Sequence, residues 1–476
     1  MDKILAFIFI VPLIGAVHVF LLQKKVLIKL VGLLYSILSS FTVIILVYQF
    51  DFLGTGFQFL WRFSLLDKFG LTCIFGIDGL SLLFLVLTTL LVPLCLVSSW
   101  ESIKKYEKLY VILYLLMEFM LYIVFTSLDL IIFYVFYESI LIPMFLIIGI
   151  WGLRENKVSA SYYFFFYTLV GSVMMLLAIL YIYSLTGYTD IISLLNCHLS
   201  SDIQFWLWLG FFISLSVKVP MFPFHLWLPQ AHVEAPVGGS VMLAGVLLKM
   251  GGYGFIRFIL LLFPEASLYF SPFIYMLSLL GILYCSLVVI RQIDLKRIVA
   301  YSSVAHMSLV MLGLFSFRSE GLIGSIYLMF SHGIVSSGLF ILVSVLYDRY
   351  HTRLLKYYRG LSLFMPIYSS IFLIFSLANM SMPLSSSFVG EICIFLSLLN
   401  KSFAVLLFSL LSMVFSGGYS IFLYGRMCMG SVSVWLKVKG LRDMSRKEFV
   451  VILPLLVLVI MLGVYPRLVF MFLIGY

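Results

Sequence analysis

The sequence predicts an all-α polytopic membrane protein of about fourteen transmembrane helices, built as two inverted five-helix repeats in which helices seven and twelve are broken. Three observations predict it. Of 476 residues, 63% are hydrophobic and only 11% charged, a balance that excludes a water-soluble globule. Apolar stretches of the ~20 residues a span needs recur along the whole chain, and the short loops between them alternate in basic charge. Two of the stretches, five helices apart, are interrupted around proline, the sequence mark of inverted repeats with an ion site at each break.

In chain order the spans fall at about 3–22, 26–48, 77–98, 108–127, 129–151, 160–184, 204–220, 237–262, 271–291, 297–315, 321–347, 361–398, 401–426 and 449–471. The first, Met1 to Leu22, is too long for a signal peptide and lacks a small-residue cleavage pattern before Lys24 and Lys25, so we expect it to be retained. The longest polar interruptions are Asp51 to Gly76 and Gly430 to Glu448, and neither is a linker to a soluble domain. One membrane domain follows, divided into N-terminal helices (1–107), repeat one (108–262), repeat two (271–427) and a C-terminal helix (428–476).

Basic residues orient the chain. Loops after odd-numbered helices hold 21 of the 30, among them Lys24, Lys25, Lys29, Arg291, Lys296, Arg297 and the runs from Arg349 to Arg359 and Arg426 to Lys447. The opposite side holds seven, Lys3, Arg62, Lys68, Arg257, Arg318, Lys401 and Arg467, which places both termini on the electropositive outer side. The net charge of +10 is therefore mostly topology, and nothing points to nucleic acid. The six cysteines form no C-x-x-C pair, and no G-x-G-x-x-G follows a strand. An iron–sulfur cluster, a zinc site, a disulfide framework and a nucleotide site all lack their pattern, so any redox chemistry is expected on partners.

The remaining lysines lie inside spans. Phe211 to Pro236, FFISLSVKVPMFPFHLWLPQAHVEAP, puts Lys218 in an apolar helix that Pro220 and Pro223 then break, with His225, His232 and Glu234 following. An intramembrane charge beside opened backbone marks ion handling, and these groups accept and release protons near neutral pH. The structural alternative for Lys218 is a cation capping the carbonyls that the break frees. Glu138 lies about ten residues into its helix, ~14 Å deep at 1.5 Å per residue, where a carboxylate costs about 2.5–3.5 kcal/mol. Burial weakens a lysine's hold on its proton and a nearby carboxylate strengthens it, so a shift in the Glu138–Lys218 relation moves one proton.

Glu118 sits within LLMEFMLY, and Lys249, in AGVLLKMGGYG, has glycines that admit a neighbouring helix. His306 in AYSSVAHMSL and His332 in YLMFSHGIVSSG lie in apolar spans among serines. Glu391, just past the Pro383 break in ANMSMPLSSSFVGE, mirrors Lys218 in the second repeat. For each the structural alternative is a satisfied core group or a helix brace. The 46 phenylalanines and 29 tyrosines are read as packing.

LDLIIFYVFYESILIPMFLIIGIWG, the Lys218 segment, LAGVLLKMGGYGFIRF, RQIDLKRIVAYSSVAHMSLV, SHGIVSSGLF and LANMSMPLSSSFVGE stand in an order and at spacings that resemble the chain 4 family of NADH:ubiquinone oxidoreductase, respiratory complex I, over roughly residues 77–427. YDRYHTRLLKYYRGL and ANMSMPLSSSFVGE look most like its plant and protist mitochondrial form. The resemblance implies an antiporter-like proton-translocating subunit of the membrane arm, in the mitochondrial inner membrane or, alternatively, a bacterial plasma membrane. It implies Glu138 and Lys218 as a coupling pair, Lys249 and His306 continuing a polar axis, Glu391 connecting it to the far side or the next subunit, and Glu118 and His332 as further family positions. It also implies neighbouring antiporter-like subunits as partners in the bilayer, and no cofactor on this chain, with NADH, FMN, iron–sulfur clusters and ubiquinone on the partner subunits. Val237 and Gly238 depart from the family pattern without touching a titratable position. Two other readings share these residues: a subunit of a multisubunit cation/proton antiporter, and an inert membrane scaffold.

Overall fold

The structure, a computed structural model, describes residues 3–54, 56–66, 71–197, 199–433 and 442–473. Eleven of its helices are long and apolar enough to cross a membrane. Three further spans complete the fourteen: the first helix, Lys3–Leu21, and two that are broken, the seventh (Ser201–Lys218 with Trp227–Glu234) and the twelfth (Pro366–Asn379 with Ser386–Leu399). Of the cations used to orient the chain, Lys68, Lys437 and Lys439 lie outside the described residues.

Burial sorts the spans. Spans eight (Val237–Leu262), ten (Leu295–Leu314) and eleven (Ser319–Tyr350) are buried over nearly their whole length, whereas two (Lys25–Gln49), thirteen (Phe403–Cys428) and fourteen (Arg446–Val464) are mostly exposed. The centre is thus made by the helices that carry Lys249, His306 and His332. Span eleven packs against the second half of span twelve and against span ten, and spans six (Lys157–Thr186) and seven pack together. At 1.5 Å per residue its 32 residues reach about 48 Å, longer than the ~30 Å hydrocarbon core.

The breaks follow from missing donors. Pro220 and Pro223 have no N–H, and after Lys218 the Met221 amide donates to the Ser216 carbonyl at 2.9 Å, one residue further back than in an α-helix. The indole Nε1 of Trp227 donates to the Val217 carbonyl at 2.9 Å, so the second half of the span satisfies the first. Span five, expected as one helix over 129–151, is also broken, into Leu130–Ser139 and Leu141–Trp151. Pro143 explains it: it cannot donate to the Ser139 carbonyl, and its ring crowds that oxygen. Span eight departs from α geometry twice, with π turns at Leu243–Leu247 and Phe255–Ile259.

The polar interruption after span two is more ordered than expected. Gln58–Leu66 (β1) and Leu71–Ile77 (β2) pair antiparallel, Trp61 opposite Phe75 and Phe63 opposite Cys73. The second strand leads into Asp78, which caps span three (Gly79–Ser98) in a reciprocal box with Ser81. Arg257, counted above as a loop cation, is buried and pairs with Asp78 at 2.6 Å, pinning the end of span eight to the start of span three. Lys296 and Arg353 are likewise buried rather than solvated, and donate hydrogen bonds to the carbonyls of Ala235 and Val233 at the end of span seven.

The charge alternation makes a direct prediction. On sealed vesicles, single cysteines introduced in the 291–297 and 349–359 loops should react with an impermeant maleimide from one side only, and cysteines beside the termini from the other. Equal labelling of both classes from one side contradicts fourteen spans.

Candidate functional site

Lys218 ends the first half of span seven and is 4% exposed, so its ammonium must find partners inside the protein. It does not cap its own helix, a task the Trp227 indole performs. Instead Nζ donates to the Tyr137 carbonyl at 2.9 Å and lies 3.7 Å from the centre of the Tyr137 ring. That carbonyl belongs to the last turn of the first half of span five, where backbone oxygens lack helical partners and the helix dipole favours a cation. The break at Ile140 and the lysine therefore belong to one arrangement.

Glu138 is the next residue on that turn. It is half-buried beside Ser172 of span six, and its Oε1 has no hydrogen-bond partner. Among the described residues no direct ion pair joins Glu138 to Lys218. The two side chains lie within electrostatic range of each other.

The centre of the protein holds a second group. Lys249 is fully buried; its ammonium donates to the Ala244 carbonyl exposed by the first π turn and stands 2.9 Å from His332 Nδ1. The His332 and His306 rings are 5.7 Å apart between centres, and His306 Nδ1 lies 3.2 Å from Glu391 Oε1. Spans eight, eleven, ten and twelve thus contribute one residue each to a row Lys249–His332–His306–Glu391. His306 and Glu391 line a small internal cavity with Ser412 and Tyr419, and each of the four keeps a buried polar atom without a partner there or nearby. Such atoms are rare in folded proteins.

The two groups touch through glycine. A Cβ at Gly251 would fall 2.6 Å from Val219 Cγ2 and 3.0 Å from its backbone nitrogen, so span eight lies directly on the broken end of span seven. Glu118 stands apart: it is fully buried between spans two and four (Glu107–Thr126), accepting from Ser39 and, at 2.5 Å, from Tyr122.

Sequence reasoning left out a cluster at the basic-rich end of the centre. Lys296 donates to the Ala235 carbonyl at 2.8 Å and to Ser240 Oγ at 3.2 Å, with Glu234, Arg353 and the Arg154–Asp294 pair around it. His232, fully buried and stacked 4.6 Å from Phe340, lies within electrostatic range of both Lys296 and Lys249. Lys296 sits only two residues past Asp294, the cap of its helix, and so read as a loop cation. His225 and His232 stood in the quoted segment, and both keep two ring nitrogens without partners. Among the described residues no group of three His, Cys, Asp or Glu side chains could hold a metal ion.

A helical bundle with spans five, seven and twelve broken around a buried row of a lysine, two histidines and a glutamate defines an antiporter-like membrane subunit. The family described as NADH:quinone oxidoreductase/Mrp antiporter, TM, matches residues 127–416. The chain is 49% identical to NADH-ubiquinone oxidoreductase chain 4 of Chondrus crispus, over 96% of this chain and 93% of that one. It is 48% identical to the chain of the same name from Arabidopsis thaliana, over 96% and 92%. It belongs to the NADH-ubiquinone oxidoreductase chain 4 family. Among solved structures it resembles a chain of respiratory complex I from Thermus thermophilus with bound NADH, at 30% identity and a TM-score of 0.89 over 99% of this chain and 97% of that one. A chain of the Mrp complex from Dietzia sp. shares the fold, with a TM-score of 0.89 at 20% identity over 100% and 96%.

Proposed function

We propose that this chain moves protons across the mitochondrial inner membrane as a membrane-arm subunit of NADH:ubiquinone oxidoreductase, driven by electron transfer in other subunits. The observation that carries the reading is the Lys249–His332–His306–Glu391 row, four titratable groups that four spans bring together where a lone charge costs several kcal/mol. Its place in the complex rests on membership of the chain 4 family. NADH, FMN, iron–sulfur clusters and ubiquinone belong to the partner subunits, and neighbouring antiporter-like subunits flank the chain. The basic-rich face is the matrix side, and the two repeats span 108–262 and 271–427.

In this reading a proton from the matrix side passes the Lys296 and His232 cluster to Lys249. Protonated Lys249 donates to unprotonated Nδ1 of His332, and the proton leaves through His306 to the Glu391 carboxylate. Lys218 and Glu138 gate this passage: whether Lys218 is charged sets the potential at the helix break on which Lys249's own helix rests. Glu118 braces spans two and four or supplies the preceding neighbour.

Glu391→Gln tests the row. It preserves size and hydrogen bonding but cannot accept the proton. In the purified complex reconstituted in vesicles, fewer protons should be pumped per electron while the complex assembles normally. An unchanged ratio removes the row from the pathway.

A further inference from the structure

The basic-rich face carries a second feature, remote from the buried row. A cavity of about 630 Å³ opens between the turn at 355–359 and the end of span thirteen. Lys356, Arg359 and Arg426, all exposed, surround it, and the exposed side chains of Phe422 and Met429 form its apolar wall. The two segments are fixed to each other: the Gly360 amide donates to the Met429 carbonyl at 3.2 Å, the Ser433 amide to the Arg359 carbonyl at 3.3 Å, and the Ser362 hydroxyl to the Cys428 carbonyl at 2.6 Å.

The three cations are uncompensated. Elsewhere on this face Arg349 holds Glu448, Arg154 holds Asp294 and Lys447 holds Glu101. Lys356, Arg359 and Arg426 have no carboxylate partner among the described residues, and Arg426 and Lys356 rest over the Phe422 and Tyr357 rings instead. Glu391, which faces His306, is the single acid in the sequence between residues 349 and 442. Clustered positive charge without internal compensation needs an external anion. The apolar wall says which kind. Ile421 and Phe422 are 59% and 51% exposed on a lipid-length helix that runs straight to the cations. A free phosphate would use only the cations, whereas a phospholipid uses both.

We propose that this cavity binds the headgroup of an anionic phospholipid, its phosphodiester among Lys356, Arg359 and Arg426 and its acyl chains against span thirteen past Phe422. The test uses the intact complex in detergent with photoactivatable lipids. A phosphatidylglycerol or cardiolipin probe should label peptides at 355–359 and 422–430, and a phosphatidylcholine probe should label them far less. Arg359→Gln or Arg426→Gln should each reduce labelling about fivefold, and the pair about thirtyfold, from ~1 kcal/mol per cation beside an anionic lipid. Excess inorganic phosphate should leave the label in place. Equal labelling by both lipid classes, loss of the label to phosphate alone, or protection of these peptides by a cross-linkable partner protein would each overturn the assignment, and the parental complex alone decides all three.

Discussion

Lys218→Met is expected to abolish the pumping that passes through this chain and to slow NADH oxidation in the assembled complex. Methionine keeps most of the side chain's length and apolar packing, and removes the reversible charge that Lys218 places at the break of span seven. It also leaves the Tyr137 carbonyl without the ammonium that now donates to it at 2.9 Å, a cost of about 1–3 kcal/mol to stability, which a large membrane bundle tolerates. Function tolerates much less. Moving one proton against 100 mV needs ~2.3 kcal/mol, equivalent to a roughly fiftyfold change in a group's proton affinity, and a side chain that cannot ionise supplies none of it. The measurement is protons pumped per electron in reconstituted vesicles, with a native gel to establish assembly. A parental ratio from assembled complex would remove Lys218 from the mechanism.

The fold was legible because the membrane imposes its pattern on sequence directly. Apolar length gave the spans and basic loops gave their alternation. Pro220, Pro223 and Pro383 gave the broken helices. The features missed are those in which a local signal needed a tertiary partner. Pro143 foretells the break at Ile140, but only the approach of Lys218 to the Tyr137 carbonyl shows why that break matters. The strand pair of 58–66 and 71–77 is short, and its aromatic residues sat in a stretch read as a polar loop. The π turns of span eight leave no composition signal, since AGVLLKMGGYG reads as helix at any pitch.

The candidate site was legible as residues and not as geometry. A lysine, a histidine or a glutamate inside an apolar span identifies itself by its cost. Which of them meet does not follow from spacing along the chain. Lys249 and His332 are 83 residues apart yet meet at 2.9 Å, whereas Lys218, read as the partner of Glu138, donates to the carbonyl of the preceding residue, Tyr137. Lys296 and Arg353 were missed for the opposite reason. At a helix end the sequence looks the same whether a cation faces water or the carbonyls of a neighbouring span, and burial alone separates the two.

The geometry sharpens what Glu138→Gln should do. Glutamine keeps the shape of the side chain beside Ser172 and removes only its charge. No direct ion pair breaks, so the native contacts of Lys218 with the Tyr137 carbonyl and ring survive, and assembly should be unaffected. What disappears is the field. A unit charge several ångströms away, at an effective dielectric of ~20, contributes ~2–3 kcal/mol to holding the proton on a buried lysine, roughly thirtyfold or more in proton affinity. Pumping should fall accordingly, while Glu138→Asp, which keeps the charge on a shorter stem, should fall less. A bracing role predicts a different order: both substitutions would first reduce the amount of assembled complex on a native gel, with the ratio of protons to electrons intact in whatever remained. Glutamine and aspartate behaving alike, in fully assembled complex with unchanged proton transport, would mean that the charge of Glu138 has no part in switching Lys218.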